Sequence, residues 1–256
     1  MRNRLIFCGF VSTALLLTAC SSGYKIIGYE RSRILIDSTY DATADKAAAD
    51  FMKPYKRQVD SIMSPVVGMS AEYLYAEKPE SKLSNLLADI LVWSAKDYNE
   101  RPDFAIYNIG GIRSSIAKGK VTYGEVLDVA PFENKICFVT LTGDKVNELF
   151  GQIAKVGGEA VSHGVELVIT KDGKLKSALL NGKEIDPKAK YRIATLDFVA
   201  QGNDNMAAFK SSTDINSPSS KDNNVRFIIM KYMQEKMAKG ESVSAEIEGR
   251  IKIDGQ

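Results

Sequence analysis

The clearest hydrophobic periodicity lies in residues 80–94, where Leu83, Leu86, Leu87, Ile90 and Leu91 recur at i, i+3, i+4, i+7 and i+8. That spacing places all five on one face and predicts an amphipathic helix, with Ser81 as its N-cap. A second stripe, Val146, Leu149, Phe150 and Ile153, follows Thr142, which can cap it. A third joins Val225, Ile228, Ile229, Tyr232 and Met233. Elsewhere the period shortens. Apolar runs at 103–107, 135–141 and 191–196 read as strands, and 65–70 as a short strand or turn. Residues 165–169 and 175–180 flank a turn of hairpin type at 170–174, and Asn181-Gly182 marks a second tight turn. Residues 248–253 alternate and read as a closing strand, whereas 211–224 are polar and predict a surface loop. There is no internal repeat. The sum is an α/β (α+β) domain with a mixed sheet, hairpins and packed helices rather than a regular βαβ series.

The N-terminus has a different pattern. Arg2 and Arg4 precede a largely apolar run from Leu5 to Ala19, which has the length of a secretory signal and falls short of a membrane span. The run closes on Leu17-Thr18-Ala19-Cys20, which resembles a bacterial lipobox. That resemblance implies a signal peptide at 1–19, cleavage before Cys20 and lipidation of its thiol. An ordinary secretory signal with an incidental cysteine is the plainer alternative. Ser21-Ser22-Gly23 follows as a tether would, and serine rather than aspartate after the cysteine points to the outer membrane. The expected location is therefore the cell envelope, lipid-anchored, with the membrane met through the anchor alone.

Residues 20–60 read as tether and helical extension, and 61–256 as the folded domain. Residues 41–50 have high helix propensity. A helix is expected to run from there towards Ile62 and stop before Ser64-Pro65, with Pro54 kinking or dividing it. Once Cys8 leaves with the signal, Cys137 is the one internal cysteine, so an intramolecular disulfide is excluded. Its setting, Ile136-Cys137-Phe138-Val139, predicts a buried, unreactive thiol. The 34 basic and 32 acidic residues nearly balance, and no dense basic run occurs, which argues against nucleic acid as a partner.

Several ordered blocks carry chemistry. They are Glu80-Ser81-Lys82-Leu83-Ser84-Asn85-Leu86-Leu87-Ala88-Asp89, Asn108-Ile109-Gly110-Gly111-Ile112-Arg113, Gly119-Lys120-Val121-Thr122-Tyr123, Pro131-Phe132-Glu133-Asn134, Leu141-Thr142-Gly143 and Thr195-Leu196-Asp197-Phe198-Val199-Ala200-Gln201-Gly202-Asn203-Asp204. A glycine pair at a strand end lets a backbone approach a ligand closely. The planar fork of Arg113 suits phosphate oxygens. Two aromatic rings at loop ends, Phe132 and Phe198, can sandwich a base, and Asp204 can accept from ribose hydroxyls. Each residue type also fits a plainer role: Arg113 a surface ion pair, Phe132 the core, Asp204 a turn.

Together these blocks resemble the C-terminal domain of the 5′-nucleotidase family, which includes UDP-sugar hydrolases and 2′,3′-cyclic phosphodiesterases. The resemblance covers residues 60–253. It implies that Phe132 and Phe198 stack on a base, that Arg113 meets phosphate, that Asp204 meets ribose, and that Asn108 and Asn134 lie near the base, with Gly110 and Gly111 in the same loop. Three positions depart from the family pattern. Ile109 and Asn203 each replace a glycine, asparagine being tolerant of positive φ, and the arginine expected before the Glu80 helix is absent. Lys78 is the cation nearest that place.

The family hydrolyses phosphate esters with a second, metallophosphoesterase domain that holds two metals through several histidines and carboxylates. One histidine, His163, cannot supply that set, and Ser162-His163-Gly164 reads as loop. The sequence thus implies no catalytic residue and no cofactor in this chain. Two function classes follow. One is a nucleotide- or nucleoside-recognition domain that completes its active site with a separate metallophosphoesterase carrying the divalent metals. The other is a non-catalytic lipoprotein that binds nucleosides or sugar nucleotides.

Overall fold

The structure, a computed structural model, describes residues 25–39 and 45–255. The expected signal segment at 1–19, Cys20 and the start of the helix predicted from residue 41 lie outside the described residues. Two compact units divide the chain after Met52. In the first, residues 25–36 form no regular element, and Ile26, Ile27, Tyr29, Ile34, Leu35 and Ile36 are exposed. Helix α1 (Lys46–Met63) begins in this unit, where the Asp45 carboxylate accepts from the backbone N–H groups of Ala47 and Ala48. Pro54 lies inside α1 without dividing it. Proline removes a single N–H from the ladder, and the helix continues to Met63, where the sequence places its end.

The second unit contains β1 (Val66–Ser70), α2 (Lys82–Ser94), β2 (Phe104–Tyr107), β3 (Gly119–Thr122), α3 (Tyr123–Val129), β4 (Ile136–Thr142), α4 (Gly143–Lys155), β5 (Ala160–Val161), β6 (Val165–Ile169), β7 (Leu175–Leu180), β8 (Lys183–Glu184), β9 (Lys190–Leu196), α5 (Asp197–Ala200), β10 (Thr213–Asn216), α6 (Val225–Ala238) and β11 (Ile251–Ile253). The strands form a five-stranded sheet in the order β10-β4-β9-β2-β5, a four-stranded sheet β11-β6-β7-β8 and a β1-β3 pair. β2 runs parallel to β9 and β11 parallel to β6; the remaining pairs are antiparallel. This is the mixed α/β architecture the periodicity implies. Among the described residues, no helix is long and apolar enough to cross a membrane.

The helix pattern holds closely. Ser81 caps α2 in a reciprocal arrangement with Ser84, and Leu83, Leu87, Ile90 and Leu91 are fully buried against β2 and β5. Burying each such side chain contributes roughly 1.5–3 kcal/mol. Thr142 stands at the N-cap of α4 but its side chain makes no capping hydrogen bond. Cys137 is buried in β4, and burial pushes its thiol above the ordinary value, as the apolar run implies. One expectation needs correction. Residues 211–224 are not loop throughout, because 213–216 form β10 on the edge of the large sheet, paired with β4. A polar edge strand owes its existence to backbone hydrogen bonds with its neighbour, and these leave no apolar alternation in the sequence. The strand expected at 248–253 shortens to Ile251–Ile253.

Half-buried ion pairs tie the sheet margins together. Arg192 on β9 grips the Glu100 carboxylate through Nε and Nη2, at 2.8 and 2.5 Å, and reaches Thr140 and the Asp214 carbonyl. Arg250, 4 % exposed, meets both oxygens of Asp89 at 2.9 and 2.7 Å and donates to the Val161 carbonyl. The Asn85 side chain donates to the Glu246 carbonyl, and Glu80 accepts from the Glu248 N–H. Glu80, Asn85 and Asp89 of the helix block are therefore scaffold: they anchor the chain entering β11. His163 is a loop residue, exposed, with Nδ1 3.0 Å from Glu248.

Candidate functional site

Strand directions assemble the site. Because β2 and β9 are parallel, their C-terminal ends lie side by side, and they lead into Asn108 and Phe198. β4 is antiparallel to β9 with Ile136 opposite Leu196, so the segment before β4, with Phe132 and Asn134, reaches the same end. β5 pairs Ala160 with Tyr107, which brings Glu159 there too. Asp197 couples two of these loops: its Oδ1 accepts from the N–H groups of both Lys135 and Phe198, at 3.0 and 2.8 Å. The Asp197 N–H in turn donates to the Lys135 carbonyl at 2.8 Å.

The result is a cleft of about 210 Å³ lined by Asn108, Gly110, Gly111, Phe132, Asn134, Phe198 and Asp204. Seven of the eight predicted ligand-contact residues thus share one wall-to-wall lining. The volume is below the ~300–1,000 Å³ usual for pockets that enclose a whole small ligand, so the cleft suits one planar group. Phe132 is not core: it is 47 % exposed and Phe198 is 37 % exposed. Exposed phenylalanines that both line a cleft offer apolar faces to a ring.

Polar groups close one side. The Asn108 side chain is buried and donates from Nδ2 to Asp204 Oδ2 at 2.5 Å. Its Oδ1 is buried with no hydrogen-bond partner among the described residues. A buried polar atom left unpaired asks for an explanation; this one faces Gly111 and is closed to solvent. Gly111 makes Asn108 possible, since a Cβ there would lie 2.8 Å from Asn108 Oδ1. Neither Gly110 nor Gly111 has positive φ. Asp204 and Asn205 do, at 52° and 64°, and Gly202 precedes them at 84°. Aspartate and asparagine are among the non-glycine residues that adopt this left-handed region most readily, so the loop that carries Asp204 turns without glycine at those two positions. Asn203 is not the left-handed residue the sequence suggested. Instead its side chain closes the turn by donating to the Phe198 carbonyl. Ile109 fits because it packs against the core.

Arg113 is the exception. It is exposed and outside the cleft lining, and its Nη1 makes one long hydrogen bond, 3.3 Å, to the Gly110 carbonyl. Lys78 does not stand ready for phosphate either: Nζ donates to the Val156 carbonyl at 2.9 Å and to Glu159 Oε1 at 3.1 Å. Gly158 permits this approach, as a Cβ there would lie 2.6 Å from the Pro79 carbonyl oxygen.

Two residues escaped sequence reasoning. Glu159 is 5 % exposed, and its Oε2 accepts from the Ile109 N–H at 2.5 Å. Burial raises its carboxyl above the ordinary range, while the Ile109 N–H and Lys78 pull it down and the Asp204 charge adds to the rise. The two glycines before it mark a turn, but nothing local predicts its partners. Arg226 supports the Phe132 loop through the Pro131 and Phe132 carbonyls, and it carries no sequence signal. Among the described residues, no group of three or more His, Cys, Asp or Glu side chains could hold a metal ion. The site as described does not fit a metal pair.

Comparison with known proteins bears on the fold and the family. The family model for the 5′-nucleotidase C-terminal domain matches residues 65–211. Protein UshA of Yersinia enterocolitica is 28% identical over 169 residues, covering 65% of this chain and 31% of that protein. The trifunctional nucleotide phosphoesterase protein YfkN of Bacillus subtilis is 30% identical over 218 residues, 77% of this chain and 14% of that one. Among solved structures, the 5′-nucleotidase precursor from Thermus thermophilus superposes with a TM-score of 0.69 at 25% identity, over 82% of this chain and 43% of that chain. The Haemophilus influenzae NAD nucleotidase, at TM-score 0.60 and 20% identity, shares the fold. The chain spans less than a third of the length of these curated relatives. With more than half of its residues under the family model, the chain belongs to the 5′-nucleotidase C-terminal domain family.

Proposed function

We propose that this chain is the nucleotide- or nucleoside-recognition domain of a hydrolase of the 5′-nucleotidase or 2′,3′-cyclic phosphodiesterase type, and that a separate metallophosphoesterase chain supplies the metals and the chemistry. The observation that carries this reading is the convergence of Phe132 and Phe198, far apart in sequence, on one cleft with Asn108, Asn134 and Asp204. The base lies between the two rings, with Asn108 and Asn134 near it. Asp204 keeps Oδ1 for ribose hydroxyls, because Oδ2 already accepts from Asn108. Arg113, on the solvent side, reaches towards phosphate. No catalytic role falls to a residue of this chain, and no metal-dependent step is assigned to it. Lipidation at Cys20 would hold the chain at the outer membrane. Sharing that surface with an anchored partner restores part of the effective concentration of a covalent linker, which is roughly millimolar for short tethers.

The test has two arms. Titration calorimetry should detect adenosine binding to the chain lacking residues 1–20. Adding that chain to a metallophosphoesterase encoded beside it should raise kcat/KM for nucleotides, and Arg113→Ala should remove much of the gain. A partner equally active with and without the chain, up to about 1 mM, would leave the non-catalytic binding lipoprotein as the function.

A further inference from the structure

Helix α1 is amphipathic, yet none of its residues is buried. Phe51, Met52, Tyr55, Val59 and Ile62 are each more than half exposed. At about 100° per residue these five fall within an arc of about 100°, an apolar stripe along one side of the helix. Lys46, Lys53 and Arg57 lie on the other side with Asp50 and Asp60, and Lys56 borders it, paired with Asp60 at 2.8 Å. The polar side therefore holds more cations than carboxylates. Most helical stability in proteins comes from packing an apolar face of this kind. On α1 that face is exposed.

Two features point to what meets it. One is the tether. The segment from Ser21 to Asp45 separates α1 from Cys20, and a chain of that length spans at most about 90 Å. An anchor at Cys20 therefore keeps α1 near the bilayer. Ile34, Leu35 and Ile36, exposed within the same segment, add apolar surface there. The other feature is charge. An apolar stripe backed by a basic surplus matches the boundary between acyl chains and anionic headgroups. Among the described residues no helix is long and apolar enough to cross a membrane, so the fit is to a helix lying in that boundary.

We propose that α1 is a membrane-surface helix, lying on a phospholipid bilayer that contains anionic lipid, with Tyr55, Val59 and Ile62 sunk between the headgroups and the basic side chains at the phosphates. This rests on the reading of Cys20 as the lipid anchor and adds a second contact to it. Alone, such a contact is weak and reversible, so it orients the anchored chain, and the lipid retains it.

The experiment uses the chain lacking residues 1–20, so its outcome is independent of lipidation and a failure leaves the anchor standing. Co-sedimentation is measured with vesicles of phosphatidylethanolamine and phosphatidylglycerol, and with vesicles of phosphatidylcholine alone. The wild type should bind the anionic vesicles more tightly. Val59→Gln with Ile62→Gln, at exposed positions and with a good helix former, should weaken binding to both by about tenfold or more. Lys53→Gln with Arg57→Gln should weaken binding to the anionic vesicles alone, by roughly tenfold. Circular dichroism checks folding, and adenosine affinity should be unchanged in both variants. A wild type that stays in the supernatant would overturn the proposal. So would a folded Val59→Gln, Ile62→Gln variant that binds like wild type, which would place the contact elsewhere. A wild-type dimer without vesicles that the same variant dissociates would make the stripe an interface between copies and overturn it too.

Discussion

Arg226, at the start of α6, donates from Nη2 to the carbonyl oxygens of Pro131 and Phe132, at 2.7 and 2.9 Å. The guanidinium thus pins the short segment that presents one wall of the cleft. The N–H of the preceding residue, Val225, does the same for Asn134 by donating to its carbonyl at 2.9 Å. Helix α6 therefore acts on the cleft without lining it. Arg226→Ala should free the Phe132 segment and weaken adenosine binding by about 1–2 kcal/mol, the cost of losing hydrogen bonds to a charged donor. Calorimetry checks the affinity. Wild-type affinity in a folded Arg226→Ala variant would show that the segment holds its place unaided.

The clamp itself is tested by truncation. Phe132→Ala and Phe198→Ala should each weaken adenosine binding by roughly 1–3 kcal/mol with little change in stability, because both rings are substantially exposed in the unliganded protein. Gly111→Ala should act by a different route. The new methyl would meet Asn108 Oδ1 at 2.8 Å, turning that side chain away from Asp204, and both binding and stability should fall. If Gly111→Ala binds like wild type, Asn108 does not order the site.

Arg192 and Glu100 make a pH-dependent contribution to stability. The Arg192 hydrogen bonds hold the Glu100 carboxyl below its ordinary value, and the side chains are 20% and 14% exposed. A depressed carboxyl stabilises the fold above its unfolded-state pKa and loses that contribution as pH falls through the folded value. Glu100→Gln should therefore destabilise the fold at neutral pH, by about 1.5–3 kcal/mol for the weakened hydrogen bonds to a charged group, and urea denaturation should show the gap closing in acid, below the ordinary glutamate range. A gap that stays constant down to acid pH would remove Glu100 as its source.

Anchoring has its own readout. In the native host, Cys20→Ser should abolish incorporation of labelled fatty acid and shift the protein from the membrane fraction to the soluble fraction. An unchanged distribution would return the N-terminus to an ordinary secretory signal.

What was legible in the sequence is what local physics decides. The buried face of α2 follows from a 3.6-residue period that any environment on one side would select. The Asn181-Gly182 turn follows from two residues that tolerate positive φ, and they adopt 51° and 73°. The lining of the cleft was legible through the resemblance of its blocks to a family pattern, even though their order in the chain says nothing of their meeting. Their convergence is tertiary: it needs β2 parallel to β9 and β4 antiparallel to it, a choice made by packing across the whole sheet. The long-range polar partners are tertiary as well. Lys78 and Glu159 stand 81 positions apart, and Arg226 reaches back 94 to Phe132; a charged side chain has no periodicity that names its partner. β10 was hidden for the same reason, since an edge strand is held by backbone groups common to every residue. The sequence by itself determined which segments could form the walls of a site, because propensity and burial act residue by residue. Only the tertiary structure decided which charges meet behind those walls, because electrostatic pairing depends on distance in space.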